Sequence, residues 1–190
     1  MEQNTQEPKQ ERAYDLGRFR ILIVEDSAFI GSLMCSALRE MGVGKALTAK
    51  GVTEAKEKIA TLNDNPSPDN IDVVILDWLM PDGRGSDLLS WIRSQKSETI
   101  KFLPTIICSA YASEELVEES RGRGANEILV KPVSAEKLAK RILYVIDRPR
   151  PFIASKVFFG PDRRRKIKDY EGQNKRTTKP HEIEQEYEQL

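Results

Sequence analysis

Four short apolar runs, each ending in a polar residue, constrain this chain most. Ile21-Leu22-Ile23-Val24 leads into Glu25-Asp26, Val73-Val74-Ile75-Leu76 into Asp77, Thr105-Ile106-Ile107-Cys108 into Ser109, and Ile128-Leu129-Val130 into Lys131. Continuous runs rich in β-branched residues read as strands buried on both faces, the pattern of a parallel sheet. Between them the spacing turns helical. Ile30, Leu33, Met34, Ala37, Leu38 and Met41 recur at helical intervals, and Gly42 supplies a stop. The same reading predicts a weak strand over 45–49, a helix over 52–62, a turn-rich loop over 63–70 and a strand over 71–77. It then predicts helices over 85–94, 114–121 and 135–146, with strands over 104–109 and 126–130 between them. Short strands alternating with helices of this length imply a parallel sheet covered by helices on both faces.

Composition narrows the class. No apolar run approaches the roughly 18–20 residues needed to cross a bilayer, so no membrane insertion is expected. The polar N-terminus lacks the apolar core of a secretory signal. Cys35 and Cys108 both fall inside apolar patterns and read as reduced core residues, which fits a cytoplasmic location. The single histidine, His181, lies in a polar tail, so a histidine-based catalytic or metal site in the core is excluded. Zero net charge conceals a local asymmetry: residues 148–179 carry 11 basic and 3 acidic side chains.

In an open α/β sheet, ligands bind beyond the C-terminal ends of the strands. If the four runs are neighbouring strands, Glu25, Asp26, Asp77, Ser109 and Lys131 converge there. Three acids in one place do not all stay ionised without a cation. Oxygen-only ligation by carboxylates favours a hard ion, and Mg²⁺ is the one that keeps waters and shares a phosphate. Asp26 and Asp77 are the candidate direct ligands, the Leu79 backbone carbonyl is a third, and Glu25 acts through water or positions Asp26. With the ion in place, Asp77 is the candidate nucleophile towards phosphorus, and Lys131 and Ser109 are the candidate phosphate contacts. A lone strand-end aspartate is more often a turn former or helix cap; the signal is the combination. No Gly-x-x-x-x-Gly-Lys-Ser/Thr loop and no Gly-x-Gly-x-x-Gly after the first strand occurs, which argues against nucleoside triphosphate and dinucleotide sites.

Residues 20–147 resemble the receiver domain of two-component response regulators. The resemblance rests on Ile23-Val24-Glu25-Asp26-Ser27, on Leu76-Asp77-Trp78-Leu79-Met80-Pro81-Asp82-Gly83, on Ser109-Ala110 and on Val130-Lys131-Pro132. It implies a flavodoxin-like, doubly wound fold of five parallel strands in the order 2-1-3-4-5. It implies phosphorylation of Asp77 by a histidine kinase or a phosphotransfer protein, Mg²⁺ dependence, and slow self-dephosphorylation. It also implies a cis peptide before Pro132 that helps to aim Lys131. Ser109, Ile128 and Pro132 take the switch positions. Receivers often carry Tyr or Phe where this chain has Ile128, and here Ile128 reads as an ordinary strand residue.

The expected organisation is a disordered segment over 1–15, the receiver over 16–147 and a basic, aromatic extension over 148–190 with no independent domain. Phe152, Phe158 and Phe159 are expected to be at least partly buried, and the extension is expected to lie beside the face formed by the last two helices. The expected role is a stand-alone signalling module that acts on a downstream protein partner and not an enzyme with a diffusible substrate. A transcriptional or other nucleic-acid regulator using the basic tail is the alternative. DNA binding is disfavoured because the extension is too short for a helix-turn-helix unit. A phosphate sink without output is a further alternative.

Overall fold

The computed structural model describes residues 15–110, 113–155 and 157–162. The segment expected to be disordered, apart from Asp15, and the basic run from Arg163 onward lie outside them. In chain order the elements are a short 3-10 turn (Leu16–Arg18), β1 (Arg20–Val24), α1 (Ala28–Glu40), β2 (Lys45–Ala49), α2 (Val52–Leu62) and β3 (Val73–Asp77). A two-stranded ribbon, β4 (Leu79–Met80) and β5 (Gly83–Arg84), leads into α3 (Gly85–Ser94) and the single turn α4 (Glu98–Lys101). Then follow β6 (Thr105–Ser109), α5 (Glu114–Gly122), β7 (Glu127–Val130), α6 (Ala135–Asp147), and a terminal hairpin of β8 (Phe152–Ala154) and β9 (Phe159–Pro161).

The main sheet is parallel throughout, in the order β2-β1-β3-β6-β7. Counted among the strands of this sheet alone, that is the predicted order 2-1-3-4-5. Alternation along each strand splits the core in two. Leu22, Val24, Val74, Leu76 and Ile107 pack against Val52, Ala55 and Ile59 of α2 and Leu88, Leu89 and Ile92 of α3. Ile21, Ile23, Val73, Ile75, Ile106 and Cys108 face the other way, onto Met34, Cys35 and Leu38 of α1 and Leu138, Ile142 and Val145 of α6. Each of these larger aliphatic side chains contributes about 1.5–3 kcal/mol by leaving water. Serine side chains start three helices. Ser27 accepts from the Ile30 amide, Ser113 from Leu116 and Ser134 from Lys137. Gly42 follows α1 at φ +81°, the left-handed conformation that favours glycine at a helix end.

Three local expectations differ. β3 begins at Val73 and not at residue 71, because the Ile71 amide donates to Asn63 Oδ1 and its carbonyl accepts from Asn63 Nδ2. Leu33 is exposed, and Cys35 belongs to the buried stripe of α1 in its place. The ribbon and the turn α4 fall in stretches that the periodicity reads as connections.

The described part of the extension packs on the receiver body, but elsewhere than expected. A helix following a parallel strand returns the chain to the strands' N-terminal ends. The hairpin strands β8 and β9 accordingly dock there, away from Asp77. Phe152 is buried against Phe102, with ring centroids 4.9 Å apart, and Phe159 lies 5.3 Å from the same ring. The buried Arg93 guanidinium lies 5.1 Å from the Phe152 ring and donates to the carbonyls of Lys101, Leu103 and Gly124 and to Asn126 Oδ1. Burial lowers the Arg93 pKa to about 9, which still leaves it charged at neutral pH. Gly124 and Gly160 meet backbone to backbone: a Cβ on Gly160 would lie 2.6 Å from the Gly124 Cα. Arg150 pairs with the buried Glu127 at 2.6 Å, and Arg141 pairs with the same carboxylate at 2.9 Å. Among the described residues no helix is long and apolar enough to cross a membrane.

Candidate functional site

The C-terminal ends of β1, β3, β6 and β7 bring the predicted residues together. Glu25 and Asp26 follow β1, Asp77 ends β3, Ser109 ends β6, and Lys131 follows β7. Glu25, Asp26 and Asp77 each present a carboxylate oxygen within 4.8 Å of the others. Lys131 reaches across β6 to bind both inner acids, with Nζ 2.6 Å from Glu25 Oε2 and 2.8 Å from Asp77 Oδ2. Glu25 is buried, Asp77 is half-buried and Asp26 is exposed, so the cluster is closed below and open above. Asp77 Oδ1 also accepts from the Trp78 amide at 2.6 Å, which fixes the carboxylate plane.

Local packing sets this geometry. Gly85 abuts the nucleophile candidate so closely that a Cβ there would lie 2.4 Å from the Asp77 carbonyl oxygen. Its amide donates to the Trp78 carbonyl. Ser109 is buried at the end of β6, and its carbonyl accepts from the Lys131 amide at 2.8 Å. That bond ties the lysine backbone to the strand bearing the hydroxyl. The Lys131–Pro132 peptide is cis, as the resemblance implied. Ile128 is half-buried against the core layer beneath α2 and α3. Leu79 starts the ribbon two residues after Asp77, with its side chain exposed.

Electrostatics point to a cation. Burial opposes the charge on Lys131, but hydrogen bonds and charge from Asp77 and Glu25 outweigh it, and the lysine pKa is raised. The ammonium therefore stays charged. One ammonium against three carboxylates leaves excess negative charge at a partly desolvated point. An all-oxygen, carboxylate-rich donor set with an open side fits a hard divalent ion that keeps some of its waters. Cys108 lies beneath the site, and burial pushes its thiol up to about 12, so it is no nucleophile at neutral pH.

The family model for the response regulator receiver domain matches residues 21–143. The chain belongs to the response regulator receiver family. Chemotaxis protein CheY of Pseudomonas aeruginosa is 30% identical to this receiver over 129 residues, covering 68% of this chain and 97% of its own length. The phosphate regulon transcriptional regulatory protein PhoB of Escherichia coli is 30% identical over 141 residues, 73% of this chain but 56% of PhoB. Among solved structures, the CheX–CheY complex of Borrelia burgdorferi with BeF3 and Mg²⁺ matches at TM-score 0.60 and 30% identity, covering 67% of this receiver and 89% of that chain.

Sequence reasoning missed two features of this receiver. Gly85 carries no chemistry that a pattern search would reward; its need for a bare Cα shows only in the contact with Asp77. Asp82 entered as part of a motif, whereas its side chain makes a specific contact described below.

Proposed function

We propose that this receiver accepts a phosphoryl group on Asp77 from a histidine kinase or a phosphotransfer protein and signals through a phosphorylation-dependent protein contact. The observation that supports this most is the convergence of Asp77 with Glu25, Asp26 and Lys131 in a cluster that carries more negative than positive charge.

Asp26, Asp77 and the Leu79 carbonyl are the residues to hold Mg²⁺, with Glu25 behind them; the all-oxygen donor set fits, and relatives have been crystallised with that ion. When bound, the ion supplies charge neutralisation that lets a carboxylate meet a phosphoryl group. An Asp77 carboxylate oxygen attacks phosphorus in line. The P–N bond of the phosphohistidine donor breaks, an acyl phosphate forms, and the imidazole leaves with the electron pair. Lys131 then turns from the carboxylates to a phosphoryl oxygen, and the Ser109 hydroxyl donates to another. These contacts bias the segments that follow Ser109 and Lys131, and Ile128 and Pro132 lie on that path. Slow self-dephosphorylation is the only turnover, so the receiver is not an enzyme with a diffusible substrate.

A signalling role through a protein contact draws support from the likeness to a chemotaxis protein, and a cytoplasmic location accords with it. Phosphotransfer profiling against a panel of purified histidine kinases tests the proposal; transfer from one kinase far faster than from the rest is the expected result. The basic run at 163–166 and the likeness to a transcriptional regulator favour DNA as a second reading. A salt-dependent gel shift on the full chain separates the two.

A further inference from the structure

Asp82 sits at the tip of the ribbon between Met80 and Gly83, far from the acids in chemistry but not in connection. Its carboxylate Oδ1 accepts from the Val52 amide and its Oδ2 from the Thr53 amide, each at 2.9 Å. These are first-turn amides of α2, 29 and 30 residues earlier in the chain. The residue at the start of α2, Gly51, makes no side-chain cap of its own. Asp82 therefore caps α2 from another loop. Both partners are shaped for this contact. A Cβ on Gly51 would lie 2.3 Å from Asp82 Oδ1, and Gly83 takes φ +154° with Val52 against it. The two backbone bonds hold the Asp82 carboxyl below the usual range.

The ribbon is thus pinned at both ends. At the base, the Gly85 amide donates to the Trp78 carbonyl and Gly85 presses on Asp77. At the tip, Asp82 is bound to α2. Leu79 pairs with Arg84 between these two points, and Met80 packs on the core. We propose that Asp82 is a positioning residue for the metal site: by latching the ribbon tip to the N-terminus of α2, it holds the Leu79 carbonyl in place to complete the ligand set begun by Asp26 and Asp77. The inference rests on the metal reading given under Proposed function. A group that holds a ligand from behind acts by preorganising it, here a carbonyl with no side-chain freedom of its own.

The test is calorimetric titration of Mg²⁺ into the full chain, with Asp82→Ala, Asp82→Asn and Glu54→Ala compared with the parent. Glu54 accepts from the Lys50 amide and pairs with Lys58, so its removal loosens the same helix end without touching the ribbon. Asp82→Ala should weaken Mg²⁺ binding roughly tenfold, the lower range for losing a group that holds a ligand in place. Asp82→Asn should fall between, since its amide oxygen keeps one of the two bonds. Glu54→Ala should bind as the parent does. Hydrogen exchange without metal supplies the second readout: the Val52 and Thr53 amides should exchange faster in Asp82→Ala. Unchanged Mg²⁺ affinity in Asp82→Ala, equal weakening in Glu54→Ala, or unchanged exchange at those two amides overturns the proposal. A folded parent that binds no Mg²⁺ overturns the metal reading beneath it, an outcome distinct from the other three.

Discussion

Lys131 Nζ lies 2.8 Å from Asp77 Oδ2, reached from β7 across the intervening strand β6. The same ammonium holds Glu25 at 2.6 Å. Lys131 thus occupies, before any phosphoryl group arrives, the contact it is proposed to give up afterwards. Lys131→Ala should bind Mg²⁺ more tightly than the parent, because a positive charge leaves the cluster. It should still accept phosphate, more slowly, and lose the hydrogen-exchange response of α5 to beryllofluoride. An undiminished α5 response in the mutant contradicts the role given to Lys131.

Asp26 is the exposed member of the acid cluster, so its removal costs little packing. Asp26→Ala should weaken Mg²⁺ binding by at least about tenfold, since Mg²⁺ sites rely on one or two carboxylates. Its thermal midpoint without metal should stay close to the parent's. Calorimetric titration and a melt measured in chelator check both halves.

The terminal hairpin is predicted to be part of the folded receiver. Ending the chain at Asp147 removes the buried Phe152 and one of the two arginines that neutralise the buried Glu127. The expected loss is about 3–5 kcal/mol in urea unfolding, the range for deleting a buried aromatic side chain. Phe152→Ala in the full chain should account for most of it. Unfolding midpoints equal to the parent's in both variants would show that the hairpin contributes nothing.

Asp82 also makes a pH-dependent contribution. Its pKa is lowered by the hydrogen bonds from Thr53 and Val52, so the carboxylate form is favoured in the folded chain. Such a group adds stability above its unfolded pKa and loses that contribution as pH falls through its folded pKa. The stability gap between the parent and Asp82→Ala should be present at neutral pH and close as pH drops below the ordinary carboxylate range. A gap that persists unchanged at low pH would mean that charge plays no part in the latch.

Much of this was readable from the chain because strand burial and strand ends are local patterns. The run Val73 to Leu76 announces a central strand, and Asp77 after it announces where a ligand meets the sheet. The four runs ending alike pointed to one site; the strand order came from the resemblance to receivers. What stayed hidden depends on contacts between distant segments. Leu33 fits the helical spacing as well as Cys35 does, and only the packing of α1 on the sheet separates them. Phe152 and Phe159 are conspicuous as residues that need cover, but their seat is built from Arg93, Phe102 and Gly124, which share no pattern with them. The Asp82 bond to α2 is invisible for the same reason: two backbone amides make half of it, and amides leave no trace in a sequence.

The most direct test of the central claim is intact mass after incubation with acetyl phosphate and Mg²⁺, on the parent and on Asp77→Asn. The amide is nearly isosteric with the carboxylate but is not a nucleophile. The parent should gain the mass of one phosphoryl group, gain none when Mg²⁺ is chelated before addition of the donor, and match Asp77→Asn in fold by circular dichroism. Asp77→Asn should gain none. Equal phosphoryl incorporation in the two proteins would contradict the assignment of Asp77 and the reading of the site built on it.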